Sequence, residues 1–249
     1  MLFGKKKKTD SSTGSANQSS ASTQKPTVCL TKAKEGLENN IVRLKKEKNI
    51  DLSSHKARVF VVLDRSGSMS TLFRDGSVQE TLTRLLPLAL KFDDNGELEV
   101  YLFNNSYIQL PPMTLSNYEN YVKKVILDKG KGPTGGTSYA PVINKTTDDY
   151  NDKSPYPAFG LFITDGENSD ASETDKAIQR SSNYKIFYQF IGIGNEVFNY
   201  LQKLDNLSGR KVDNTAFVKV ESFKSLNDDE LYAKLLEQYP QWLSDMNIN

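Results

Sequence analysis

Two patterns of apolar residues alternate along the chain. Short, almost continuously apolar runs rich in β-branched and aromatic residues are typical of strands buried on both faces of a sheet. Between them, apolar residues recur every three or four positions, which predicts helices with one buried face. The predicted strands are 57–63, 98–104, 158–164, 186–193 and a shorter one at 216–220. The predicted helices are 37–48, 77–91, 117–128, 139–150, 173–182, 196–204 and 228–237.

This alternation predicts an α/β fold. Strands that alternate with helices form βαβ units, which gives a doubly wound, mostly parallel central sheet with helices on both faces. In such folds a ligand binds beyond the carboxyl ends of the strands, near the point where the strand order reverses. Functional side chains are therefore expected in the loops that follow strands.

The composition divides the chain into four parts. A Ser/Thr/Asn/Gln-rich segment cannot bury enough apolar surface to offset the entropy of ordering it. We therefore predict a disordered, Lys/Ser-rich tail at 1–26, a short amphipathic helix and lead-in at 27–54, the α/β domain at 55–239, and a C-terminal tail at 240–249.

Charge is distributed unevenly, although the net charge is only +1. Residues 1–48 carry eleven Lys or Arg against four Asp or Glu, and the remainder is acidic. The basic tail could serve solubility or self-association. The alternative is that it contacts an anionic membrane or nucleic acid. The run Lys5 to Lys8 would hold a membrane only weakly. Nucleic-acid binding is not expected as the main function, since no aromatic residues are interleaved with the lysines.

The counts of reactive residues exclude several kinds of site. The chain has one cysteine, Cys29, and one histidine, His55, so neither an intrachain disulfide nor a zinc site built from several Cys and His ligands is possible. No apolar run is long enough to span a bilayer, and polar residues follow the first lysines where a secretory signal would be apolar. A cytoplasmic protein is the expectation.

Oxygen-bearing side chains follow the predicted strands. Asp64, Ser66 and Ser68 form an Asp-x-Ser-x-Ser sequence after the first strand, and Asp165 follows the strand at 158–164. Between them, a Gly-Gly-Thr-Ser sequence containing Thr137 opens a helix. Carboxylates and hydroxyls without nitrogen or sulfur suit a hard cation such as Mg²⁺ or Mn²⁺. Ca²⁺ is not securely distinguished from these two.

In this combination and order, the three motifs resemble the metal-ion-dependent adhesion site of von Willebrand factor A and integrin I domains. The resemblance implies that Ser66, Ser68 and Thr137 coordinate metal directly, and that Asp64 and Asp165 act directly or through water. Thr134 is the alternative to Thr137. Residues 84–93 and 135–142 are more specifically similar to the bacterial cytoplasmic branch associated with tellurite-resistance and stress-response operons.

The expected function is therefore metal-dependent capture of an acidic residue on a partner protein, with no catalysis and no small-molecule substrate. A nucleotide- or phosphate-handling enzyme that uses Asp64 and Asp165 with Mg²⁺ is the alternative. Its usual signatures are missing, because the Gly-x-Gly-x-x-Gly sequence at 130–135 follows a helical stretch and contains Pro133. Arg65, inside the first motif, either steers an acidic partner or is simply solvated.

Overall fold

The chain is described by a computed structural model that covers residues 30–151 and 154–248. The strands in this part are β1 Arg58–Asp64, β2 Glu99–Phe103, β3 Tyr107–Gln109, β4 Ala158–Thr164, β5 Ile186–Ile193 and β6 Thr215–Val220. The helices are α1 Leu30–Lys48, α2 Ser70–Arg74, α3 Ser77–Phe92, α4 Ala140–Tyr150, α5 Ala171–Ser181, α6 Asn199–Asp205, α7 Asp228–Leu235 and α8 Tyr239–Asp245. The predicted tail at 1–26 lies outside the described residues.

The six strands form one sheet in the order β3-β2-β1-β4-β5-β6. Every neighbouring pair is parallel except β2 and β3, which are antiparallel. The strand order reverses between β1 and β4, where Leu63 pairs with Ile163. Asp64 and Thr164 therefore end adjacent strands at the same edge, which is where this fold class places its ligands.

Helices cover both faces of the sheet, so the predicted doubly wound α/β fold is confirmed. Along β1, Val59, Val61 and Leu63 face one core, and Phe60 and Val62 face the other. Helices α1, α3, α7 and α8 contribute to the first core, and α4, α5 and α6 contribute to the second. A strand buried on both faces explains the continuous apolar runs in the sequence.

Helix α1 is longer than the stretch predicted at 37–48, and it packs on the domain. Its buried face includes Leu37, Ile41 and Leu44. Gly36 faces the start of α7 so closely that a Cβ there would lie 2.7 Å from Cβ of Asp228. A glycine at this position lets the two helices approach, and the lead-in is part of the folded unit.

The C-terminal boundary predicted at residue 239 needs correction, because helix α8 occupies most of the predicted tail. Trp242 is 2% exposed, and the Tyr239 ring stacks on Phe159 at 4.4 Å between centroids. Pro240, close after the predicted helix 228–237, is typical of a helix end, but it occupies the second position of α8. The first amides of a helix have no intrahelical acceptor, so proline costs nothing there.

Further elements, among them the short helix α2, differ from the predictions. The helix predicted at 117–128 is a π-helical turn at Val122–Ile126 followed by a 3₁₀ turn at Leu127–Lys129. Asn120 has a φ of 58°, which no residue inside a right-handed helix adopts. Strand β3 was not predicted, because its three residues are largely exposed and show no apolar pattern. In the described ranges, no helix is long and apolar enough to cross a membrane.

Candidate metal site

Asp64 is the last residue of β1 and is fully buried. Its Oδ1 accepts the Ser66 amide N–H at 2.6 Å, and its Oδ2 accepts the Thr164 hydroxyl at 2.6 Å. Burial raises the pKa of Asp64 to about 6, because a carboxylate removed from water is disfavoured in its charged form. This carboxylate ties the motif loop to the end of β4.

From Asp64, a chain of polar groups runs to the surface. The Ser66 and Ser68 hydroxyls lie 3.0 Å apart, and the Ser68 hydroxyl donates to Oδ1 of Asp165 at 2.7 Å. Ser66 is buried, Ser68 is exposed, and Asp165 lies between these extremes. Burial also raises the pKa of Asp165. Four of the five expected site residues thus form one hydrogen-bonded cluster.

Thr137 reaches the cluster through its loop rather than through its side chain. The Gly67 amide donates to the Gly135 carbonyl at 3.3 Å, and the Thr134 amide donates to the Arg65 carbonyl at 2.7 Å. Within the described residues, no hydrogen bond joins the Thr137 hydroxyl to the other four side chains. Thr137 is half-buried and Thr134 is exposed, and both lie in this loop.

The segment after Thr137 is held by the β4–α5 loop. Both the amide and the hydroxyl of Ser169 donate to the Thr137 carbonyl at 2.8 Å. The Asp170 carboxylate accepts the N–H groups of Tyr139 and Ala140, each at 2.9 Å. An acidic residue is well placed at these free amides of a helix start. Asp170 was not among the predicted site residues, so its role at the start of α4 was missed.

Asn104 and Asn105 were also missed. Both directly follow β2, at the same edge of the sheet as Asp64. The Asn104 side chain donates to the Thr134 carbonyl at 2.9 Å, and the Asn105 side chain accepts the Gly136 amide N–H at 2.5 Å. Two polar residues at the carboxyl end of a strand were the available signal. Polar residues in this position were considered as site residues only after the strands at 57–63 and 158–164.

Arg65 lies against the loop that precedes Thr137. Its guanidinium donates to the Lys131 carbonyl at 3.0 Å, and partial burial lowers its pKa. Among the described residues, Arg65 is in none of the ion pairs within 4 Å. The side chain is therefore anchored rather than simply solvated.

The donor set fits a hard divalent cation. The five residues offer two carboxylates and three hydroxyls, and all of these ligand atoms are oxygen. In the described ranges, no group of three or more His, Cys, Asp or Glu residues could hold a metal. None of the five residues offers the nitrogen or sulfur ligand that a softer metal prefers.

A family model described as "vWA-TerF-like: vWA found in TerF C terminus" matches residues 56–248. The chain belongs to this vWA family. The expected family is thus confirmed, and the expected tellurite-associated branch agrees with the TerF-like name. An uncharacterized protein of Bacillus subtilis (strain 168), YcbR, is 38% identical over 212 residues, which are 84% of this chain and 86% of the relative.

Solved structures share the fold at low sequence identity. BatB from Bacteroides thetaiotaomicron is 19% identical with a TM-score of 0.52, covering 77% of this chain and 98% of that chain. The VWA domain of SpRpn10 is 11% identical with a TM-score of 0.52, covering 74% of this chain and 95% of that chain. Proximal thread matrix protein 1 from the mussel byssus, with a zinc-occupied MIDAS motif, is 14% identical with a TM-score of 0.55, covering 75% and 48%.

Proposed function

We propose that this vWA domain is a metal-dependent protein-binding module that captures an acidic residue of a partner protein. The proposed metal-holding residues are Asp64, Ser66, Ser68, Thr137 and Asp165. The observation that carries the proposal is the continuous Ser66–Ser68–Asp165 cluster, which rises to the surface where the strand order reverses. Mg²⁺ suits the all-oxygen donor set best, and Mn²⁺ or Ca²⁺ are the alternatives.

The five residues have different roles in the proposed site. Asp64 has both carboxylate oxygens engaged by Ser66 and Thr164, so it fixes the loop and places negative charge beneath the site. Ser68 and Asp165 are the accessible members, and their oxygens meet at 2.7 Å. Thr137 is presented by a loop that contacts the Gly67 amide through Gly135.

The charge of the site suits an acidic ligand. A bound divalent cation would supply positive charge that the partner's carboxylate neutralises. The three hydroxyls contribute no charge, and one of the two carboxylates is fully buried. Arg65 adds a positive charge within the motif loop, and its guanidinium donates to the Lys131 carbonyl. The mussel relative with a zinc-occupied MIDAS motif supports a divalent metal at this position of the fold.

We propose that the domain is not an enzyme. A metal hydrolase needs a general base near the reacting water. The sequence offers Glu167 and Asp75 as spare acids, and both have structural partners. Glu167 accepts the Tyr200 amide at 3.1 Å, and Asp75 accepts the Ser77 amide and pairs with Lys224. The vWA family is in general an interaction family rather than a catalytic one.

The proposed setting is a cytoplasmic complex of the tellurite and chemical-stress responses. The basis is the TerF-like branch to which residues 56–248 belong. The Lys5–Lys8 tail adds at most a weak contact with an anionic membrane in this proposal.

The test is partner capture by the full chain with Mg²⁺ and with a chelator. We expect a partner to be retained only with Mg²⁺, to be lost with Ser68→Ala, and to be kept with the control Ser244→Ala on the distant helix α8. Each Asp and Glu of the captured partner is then substituted singly. Retention in chelator, or a partner on which no single acidic residue matters, would show that the interface lies elsewhere.

A further inference from the structure

The turn between β2 and β3 lies beside the loop that carries Thr137. This turn, Asn104 to Ser106, closes the short antiparallel hairpin at the edge of the sheet. The loop, residues 134–138, includes two consecutive glycines and forms no regular element. Something outside the loop must therefore order it.

Asn104 holds both ends of the loop. Its side-chain amide donates to the Thr134 carbonyl at 2.9 Å, and its backbone carbonyl accepts the Ser138 amide at 2.8 Å. Its side-chain oxygen accepts the Ser106 amide at 3.1 Å, which closes the turn itself. Asn104 is 8% exposed, so its removal would disturb the fold as well as the loop.

Asn105 holds the middle of the loop. Its side-chain oxygen accepts the Gly136 amide at 2.5 Å. A Cβ on Gly135 would lie 3.0 Å from that oxygen, and one on Gly136 would lie 3.1 Å from it. Gly135 also has a φ of 79°, a conformation that glycine adopts readily. The two glycines thus permit both the turn and the close approach of Asn105.

We propose that Asn105 is a positioning residue for Thr137. Its hydrogen bond to the Gly136 N–H, one residue before Thr137, fixes the direction in which the Thr137 side chain leaves the loop. This inference rests on the proposed metal site. Without the bond, two glycines would have to be ordered on metal binding, and that entropy would weaken the affinity. Losing one hydrogen bond corresponds to an affinity about three- to tenfold weaker.

Substituting Asn105 tests the proposal specifically, because the residue is exposed. Within the described residues its hydrogen bond is to the Gly136 amide. The probe is Mn²⁺ alone, and its unbound fraction is measured from the electron paramagnetic resonance signal of the free ion. We expect Asn105→Ala to bind Mn²⁺ about three- to tenfold more weakly, with an unchanged melting temperature in chelator. Asn183→Ala, an exposed asparagine before β5, is the matched control and should leave the affinity unchanged.

Two further variants separate positioning from a general structural role. Asn105→Asp keeps an acceptor oxygen and should restore binding to at least the wild-type affinity. In a Thr137→Ala background, Asn105→Ala should add little, because the two residues act through the same contact. Fully additive losses would overturn the inference.

The remaining outcomes are also decisive. Wild-type protein that does not bind Mn²⁺ would refute the metal site itself. Wild-type binding with unchanged affinity in Asn105→Ala would leave the metal site standing and refute the role of Asn105. A lower melting temperature of Asn105→Ala in chelator would show that the residue stabilises the fold generally.

Discussion

The Ser68 hydroxyl donates to Oδ1 of Asp165 at 2.7 Å, although 97 residues separate them in the chain. The contact joins the loop after β1 to the loop after β4, across the point where the strand order reverses. Only the folded chain can bring these oxygens together. Metal binding at the proposed site would therefore be thermodynamically coupled to folding.

The first prediction is that divalent metal stabilises the domain. Saturating Mg²⁺ should raise the free energy of unfolding by about 1–3 kcal/mol, which is an increase of several degrees in the melting temperature. The shift should vanish in Asp64→Ala/Asp165→Ala and persist in Asp245→Ala, an exposed acid on α8. An equal shift in the double variant would place the metal elsewhere.

The second prediction is that Asp64→Asn stabilises the metal-free domain while abolishing the effect of metal. The carboxylate is fully buried, and burying a charge without a counter-ion costs free energy. An amide keeps the shape and one acceptor, and the Thr164 hydroxyl can donate instead to the Gly166 carbonyl, 3.3 Å away. Denaturant unfolding in chelator should show a gain of about 1–2 kcal/mol.

Adding Mg²⁺ should reverse that order of stability, leaving the wild type above Asp64→Asn. A variant that loses stability in chelator would indicate that the negative charge of Asp64 is itself needed for the loop. The matched replacement Asp245→Asn should change neither value.

Much of the candidate site could be placed from the sequence because parallel strands end at a common edge. The apolar runs placed the ends of β1 and β4, so Asp64, Ser66, Ser68 and Asp165 could be assigned to one place before any coordinates. Thr137 was added from its Gly-Gly-Thr-Ser sequence at the start of a predicted helix, and the structure relates its loop to the other residues through backbone contacts.

The positions of Asn105 and Asp170 relative to the Thr137 loop could not be predicted in the same way. Each contacts a backbone amide 30 or 31 residues away, and any polar side chain at the sheet edge could have done so. Strand β3 has no apolar pattern, and the start of α8 was hidden by Pro240. Local patterns report burial, whereas these features depend on tertiary contacts.

The third prediction concerns Gly160 in the centre of β4. A Cβ there would lie 2.3 Å from Cζ of Phe60, and that ring is completely buried. The ring stacks on Tyr150 at 4.5 Å between centroids, so it has little room to move. Gly160→Ala should therefore destabilise the domain by about 1–3 kcal/mol in denaturant unfolding.

Gly166→Ala is the control, since nothing lies within 4 Å of a Cβ at that position. In a Phe60→Leu background, the cost of Gly160→Ala should shrink, because the smaller side chain leaves space for the methyl group. Additive losses would show that strain elsewhere in β4 is responsible.

The fourth prediction is that α8 is an integral part of the domain. The Trp242 ring lies 5.5 Å from Phe187 and 5.6 Å from Tyr239 between centroids. Removing this side chain leaves a cavity, so Trp242→Ala should cost about 3–5 kcal/mol. Gln241→Ala, on the exposed side of the same helix, should cost less than 0.5 kcal/mol, about the usual limit for surface changes. Equal values for the two variants would restore the boundary before α8.

The fifth prediction is a pH dependence from His55. Its Nε2 lies 2.9 Å from the Tyr239 hydroxyl, and the Phe92 and Tyr239 rings pack edge-on against it at 5.5 and 5.6 Å. Burial lowers the pKa of His55 from 6.5 to about 4. Between these values the unfolded chain binds a proton that the folded chain does not. The contribution of neutral His55 to the free energy of unfolding is therefore complete above pH 6.5 and is lost as the pH falls towards 4.

The expected loss is about 1–3 kcal/mol across that range, allowing for the partial exposure of the ring. Carboxylates also titrate near the lower end, so the informative quantity is the difference between wild type and His55→Gln. The variant should have a flatter stability profile between pH 6.5 and 4. Because the chain has a single histidine, proton NMR can follow its ring directly. A His55 that titrates near 6.5 in the folded protein would contradict the prediction, since the half-buried position beside Tyr239 would then carry no cost for the charged ring.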